Sequence, residues 1–179
     1  MVQAAVKNVT ANRRRSTHHK PTIKRSTTDD SRLWDIMLGN FSYQMLLVAH
    51  NRKLFPLLAK QPKTLAEIAE ILDLALRPVR AMLTATASMG LIKVDQGYYS
   101  ITTFAEEYLL EESPTFFGGF LDMEAANYKV NTYGSLQKAI SENAPQVYTD
   151  GDLFASHEAQ AELAKTFTLG MHGHSMGAA

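Results

Sequence analysis

The chain has 179 residues, 45% of them apolar, which is enough for one domain with a proper core. It has no cysteine, which excludes a disulfide framework, a thiolate nucleophile and any cysteine-ligated zinc or iron–sulfur centre. The net charge of zero hides an asymmetry: residues 1–32 hold eight basic and two acidic side chains, the rest ten basic and sixteen acidic. A basic tail of +6 therefore precedes a body of −6.

Residues 1–31 are rich in Ser, Thr, Asn, Arg and Lys and poor in apolar residues after Val9. Such a segment buries too little surface to offset its ordering entropy, so a disordered basic tail is expected. The runs "RRR" and "KPTIKR" also fit an arm for an anionic surface, and an acid-free start fits a transit peptide, though the apolar face is poor. No apolar run approaches the roughly 18 residues of a spanning helix, so no membrane and a cytoplasmic location are expected.

Order is predicted to begin near Arg32. The stretch "LWDIMLGNFSYQMLLVAH" places Leu33, Ile36, Met37, Phe41, Met45, Leu46, Val48 and Ala49 at helical spacing. It is apolar on more than one stripe, so it must be covered on more than one side, which implies a partner subunit. Pro56 fits the first turn of a short helix ending near Lys60.

Thr64 and Glu67 form a capping box for "LAEIAEILDL", with Leu65, Ile68, Ala69 and Leu72 as the buried stripe. Pro78 falls in the first turn of the next helix, whose Val79, Met82, Leu83 and Ala87 face inward and which Gly90 terminates. "LIKVDQGYYSIT" reads as a hairpin: Ile92 and Val94 alternate on one arm and Tyr99 and Ile101 on the other, around Asp95-Gln96-Gly97. Thr103 and Glu106 fit a second capping box. Two helices followed by a two-stranded wing give the expected class: mainly α, a winged helix-turn-helix with a small β-hairpin wing plus additional dimerisation helices.

Further helices are predicted from Ser113-Pro114 through "PTFFGGFLDMEAAN", over "YKVNTYGSLQKAISEN" with Val130, Tyr133, Leu136 and Ile140 in register, and from Ser156 to Met176. The boundaries that follow are a 1–31 tail, a 32–112 winged-helix-like dimerisation domain and a 113–179 helical extension.

Binding of DNA is the first function a winged helix raises. Between Leu54 and Glu112 there are five basic and eight acidic residues, a net −3. The would-be recognition helix offers Arg77 and Arg80 and then "AMLTATASMG", with no base-reading amide. Phosphate contacts supply most non-specific affinity, so no nucleic acid partner is expected. A transcriptional regulator using the basic arm stays as the alternative, and a stand-alone dimerisation module as another.

His172 and His174 lie about 200° apart on a helix and cannot share one metal ion there. His50 and His157 have no carboxylate or histidine at ligand spacing in the sequence. No phosphate-cradling glycine motif and no nucleophile-elbow motif occurs. The residues alone define no catalytic set and no metal site.

From Leu33 to the C-terminus the order of features resembles the N-terminal region of the S-adenosyl-L-methionine-dependent O-methyltransferases, the plant caffeate-type and bacterial small-molecule enzymes. The stretches that carry the resemblance are "LFPLLAKQPKTLAEIAEILDLALRPVRAMLTATASMGLIKVDQGYYSITTFAEEYLL" and "AELAKTFTLGMHGHS", the latter with Phe167, Met171, His174 and Ser175 in the family's F-x-x-x-M-x-x-H-S order. The resemblance implies a homodimer formed by a winged-helix domain that binds no DNA. It implies that Met123, Phe167, Met171 and His174 line the site for a small aromatic substrate. It also implies in-line methyl transfer from the cofactor sulfonium to a phenolic or enolic oxygen in the complete enzyme. The Rossmann-like domain that binds S-adenosyl-L-methionine in the family has no counterpart in these residues, so the chain alone is expected to bind no cofactor and to be inactive. A fragment and a natural short product both fit that expectation.

Overall fold

A computed structural model describes residues 26–129, 132–146 and 161–176. The expected basic tail falls almost wholly outside them, as do Val130 and Ser156. In order, the elements are α1 (Ser31–Asn51), α2 (Leu54–Lys60), β1 (Lys63–Thr64), α3 (Leu65–Ile71), α4 (Leu76–Ser88), β2 (Ile92–Asp95), β3 (Tyr98–Ile101), α5 (Thr103–Leu109), α6 (Gly118–Ala126), α7 (Tyr133–Glu142) and α8 (Ala161–Met176). The described residues are mainly helical, with one small antiparallel sheet in the order β1-β3-β2.

The core forms where α1 to α5 converge. Leu54, Phe55 and Leu58 of α2 meet Ile68 of α3 and Val79 and Leu83 of α4, all fully buried or nearly so, and α6 contributes Leu121. Polar residues are buried as well, namely His50, Lys63 and the fully buried Thr86. Thr86 lies on α4. Its hydroxyl donates to Met82 O at 2.8 Å, so its burial leaves no unmade hydrogen bond. Ile68, Ala69, Val79, Met82 and Leu83 are buried as their spacing predicts, with Leu65, Leu72 and Ala87 packed at the edge.

Local signals explain most element ends. The Thr64–Glu67 capping box is complete: Glu67 N donates to Thr64 Oγ1 and Thr64 N donates to Glu67 Oε2 at 2.7 Å. Thr64's hydroxyl and amide together hold the Glu67 carboxyl below the usual carboxylate range. Gly90 follows α4 with φ +73°, the left-handed conformation that suits glycine at a helix end.

Several expectations need correction. The hairpin loop is the two residues Gln96-Gly97, both at positive φ, with Asp95 already paired to Tyr98. That is the geometry of a tight twisted hairpin. A third strand, β1, pairs with β3 through Lys63↔Tyr99 and Thr64↔Tyr98. The cap of α5 is Thr102, not Thr103. Its backbone is still extended, its amide donates to Leu91 O at 3.1 Å, and its hydroxyl accepts from Ala105 N. Helix α6 starts at Gly118, not at Ser113-Pro114. The intervening backbone is tied to α5 instead: Phe117 N donates to Tyr108 O at 2.7 Å and Thr115 Oγ1 to Glu107 O at 3.0 Å.

The two ends of α1 differ. Its C-terminal part buries Leu47, Ala49 and His50, whereas residues 31–41 are exposed on every side. Among the described residues no helix is long and apolar enough to cross a membrane.

Candidate functional site

Helix α6 is the hub on which the candidate site is built, and its first two residues explain how. Gly118 has no Cβ, and one there would strike the Phe116 ring and sit 2.7 Å from His50 Cε1. Gly119 looks the other way. A Cβ on it would lie 2.8 Å from Leu169 O and 3.3 Å from Leu169 Cβ, on α8. The Gly118-Gly119 pair therefore lets α6 wedge between the end of α1 and the backbone of α8. Gly170 on α8 completes the crossing: its missing Cβ leaves room for Met123, whose Sδ and Cβ would be 3.2 and 3.3 Å away. Small residues on facing helices allow backbone approach that larger ones forbid.

Two polar pairs join α1 to the same helix. His50, buried in the last turn of α1, has its Nε2 2.8 Å from Asp122 Oδ1. Two helical turns earlier on α1, the Tyr43 hydroxyl donates to Glu124 Oε2 at 2.5 Å. Burial pushes the Tyr43 phenol well above its usual range, and the hydrogen bond to Glu124 and that carboxylate's charge push it further. The His50 ring also approaches Phe116, with centroids 6.4 Å apart. Sequence spacing gave no carboxylate partner for His50, because Asp122 is 72 positions away. The Gly118-Gly119 pair, set within a helical stretch, is the sequence signal that could have marked this junction.

Met123, expected in the substrate wall, is half-buried between these polar pairs and α8. Phe167 is half-buried and Met171 is exposed on α8. At positions i and i+4 they share one helix face, beside the line of contact through Gly170. His174, at i+7 from Phe167, has its backbone on the same face, while its side chain lies outside the described residues. His172 is exposed on the far side.

Two recesses open elsewhere. One of about 120 Å³ is lined by His50, Phe116, Lys53 and Glu111 among others, and Lys53 Nζ lies 3.5 Å from Glu111 Oε1 across it. The other, about 590 Å³, runs between α2 and the hairpin past Lys60, Lys93, Asp95 and Glu106. Neither is lined by Met123, Phe167 or Met171. Among the described residues no group of three or more His, Asp or Glu side chains is placed to hold a metal ion.

The fold and these helices are those of a known class. Residues 34–111 match the family model of the O-methyltransferase dimerisation domain. The chain is 32% identical over 113 residues to the 3-hydroxy-5-methyl-1-naphthoate 3-O-methyltransferase of Streptomyces sahachiroi, an alignment covering 63% of this chain and 32% of that protein. It thus spans about a third of the length of the curated relatives it matches. Among solved structures, PigF with SAH superposes with a TM-score of 0.69 at 22% identity, over 80% of this chain and 44% of that one. Human N-acetylserotonin methyltransferase with SAM gives 0.69 at 20% identity, over 86% of this chain and 48% of that one. At these identities the superpositions establish the fold.

Proposed function

We propose that this chain is the dimerisation and substrate-wall portion of an S-adenosyl-L-methionine-dependent O-methyltransferase acting on a small aromatic or phenolic acceptor. In this reading residues 32–112 are a winged-helix domain adapted to pair two subunits, residues 113–179 are the helical extension that walls the acceptor site, and the chain is a homodimer that binds no DNA. The observation that carries the wall is the crossing of Gly119 and Gly170. It presses Met123 onto the helix that bears Phe167, Met171 and His174. Polarisable methionines beside an aromatic ring make an adaptable apolar wall for a planar acceptor. A histidine on the same face can orient the acceptor's hydroxyl by a hydrogen bond.

In this reading the described residues do not hold the methyl donor. The three strands lead into a helix start, a two-residue turn and a second helix start, and none opens into a glycine-rich loop. This chain's own part is to exclude water from one side of the acceptor and to fix its orientation.

Methyl-labelled methionine tests the wall directly. On titration with a planar phenol such as naphthol, the methyl signals of Met123 and Met171 should shift together, while that of Met82, buried in the core, stays put. Unmoved Met123 and Met171 signals at millimolar phenol would overturn the reading. Calorimetry with S-adenosyl-L-methionine should show no binding to residues 1–179, and micromolar affinity would sink the division of labour.

A further inference from the structure

The family match ends at residue 111, and α7 lies beyond it. This helix raises its own question, because none of its residues is buried. Tyr133, Leu136 and Ile140 are 80%, 61% and 82% exposed. At 100° per residue they fall within roughly 60° of one another, a narrow seam that suits one partner helix. Thr132 caps the helix by accepting from Ser135 N, so the seam is held in register.

The first eleven residues of α1 present the complementary problem. They project about 16 Å and are exposed on all sides. Leu33, Trp34, Ile36, Met37, Leu38 and Phe41 are each more than half exposed. Around the helix axis they spread over roughly 200°, whereas a single packed face needs little more than about 100°. One neighbouring helix cannot cover that arc. If two copies pair through α1 alone, half of the arc stays in water.

We infer that α7 of each subunit packs on the projecting half of α1 of a second copy, beside an α1–α1 contact. This rests on the homodimer reading above and specifies its interface. Each α1 then has two partner helices for its two-helix arc, and each α7 has one for its seam. The arrangement closes under two-fold symmetry and leaves neither face open. These side chains expose on the order of 1,000 Å² per chain, against about 800 Å² per partner in a standard specific interface. The surface is continuous with the domain already assigned to dimerisation, since Trp34 to Phe41 lie inside the matched region.

The test is L136E/I140E, measured by light scattering and analytical ultracentrifugation of the full chain. Both residues are exposed in the single chain, so the substitutions leave circular dichroism and the core unchanged. The dimer Kd should rise at least about tenfold for each residue, the loss expected when a buried aliphatic side chain is withdrawn. An unchanged Kd overturns the α7 assignment while leaving the dimer intact. A wild-type chain that is monomeric at tens of micromolar would defeat the homodimer reading itself, and this inference with it. The absence of cysteine allows a second measurement. Mixed Met37→Cys and Gln137→Cys variants should give a heterotypic bis-maleimide cross-link, and only homotypic links would overturn the pairing.

Discussion

His50 Nε2 and Asp122 Oδ1 meet at 2.8 Å, and that contact ties the last turn of α1 to the helix carrying Met123. The two partners are unequal. The His50 side chain is 5% exposed and the Asp122 side chain 49%. Replacing His50 by Ala removes a buried ring beside Phe116 and should cost about 2–4 kcal/mol. Asp122→Asn keeps a hydrogen-bonding group at a half-exposed position and should cost less than about 1 kcal/mol. Urea unfolding of the two variants checks the order, and equal costs would show that the charge of Asp122, not the packing of His50, holds the junction.

The crossing of α6 and α8 tolerates no side chain at Gly119. A Cβ there meets the backbone carbonyl of Leu169, which cannot rotate out of the way. Gly119→Ala should therefore push α8 off α6, at about 1–3 kcal/mol. Hydrogen exchange should quicken in α8 while α2 to α4 keep their protection. Unchanged α8 protection would mean that the two helices are held by other contacts.

Gly39 offers the opposite case. It lies in the middle of α1, a Cβ added to it would meet nothing within 4 Å, and its φ is not positive. Gly39→Ala should stabilise the chain by about 0.5–1 kcal/mol through helix propensity and a less free unfolded state. Thermal unfolding followed by the helical circular dichroism signal should give a higher Tm. A lower Tm would indicate a contact at Gly39 in the assembled protein.

Tyr43 sets an alkaline limit. Its phenol is raised in the folded chain, chiefly by burial and then by Glu124, from the ordinary value of 10.0. The unfolded chain therefore releases this proton at lower pH than the folded one. The stability that depends on a neutral Tyr43 is fully present below about pH 10 and falls as pH rises beyond it. Tyr43→Phe should be less stable at neutral pH, having lost the hydrogen bond to Glu124, yet should lose less stability as the pH is taken through about 10. Parallel pH profiles for the two proteins would show that Tyr43 ionises alike in both states.

Much of the fold was legible because its signals are local. The Thr64–Glu67 box, Pro78 in the first turn of α4, Gly90 after it and the Gly97 turn each act within a few residues. The same reasoning misplaced the starts of α5 and α6. Two threonines stand side by side at 102 and 103, and only the pairing of Thr102 with Leu91 selects the first as the cap. Ser113-Pro114 has the residue types of a helix start, but its neighbours' hydrogen bonds go back to Tyr108 and Glu107.

For the candidate site the division is sharper. Sequence by itself determined that Phe167, Met171 and His174 share one helix face, because helical spacing fixes angle. It also determined that α1 is apolar over too wide an arc for one neighbour. Only the tertiary structure decided that Met123 is pressed against Gly170, that His50 faces Asp122, and that the Tyr133–Leu136–Ile140 seam is left open. The first two relations join segments tens of residues apart. They depend on how closely two backbones approach, a distance that the missing Cβ atoms of Gly118, Gly119 and Gly170 permit but that no pattern along the chain specifies.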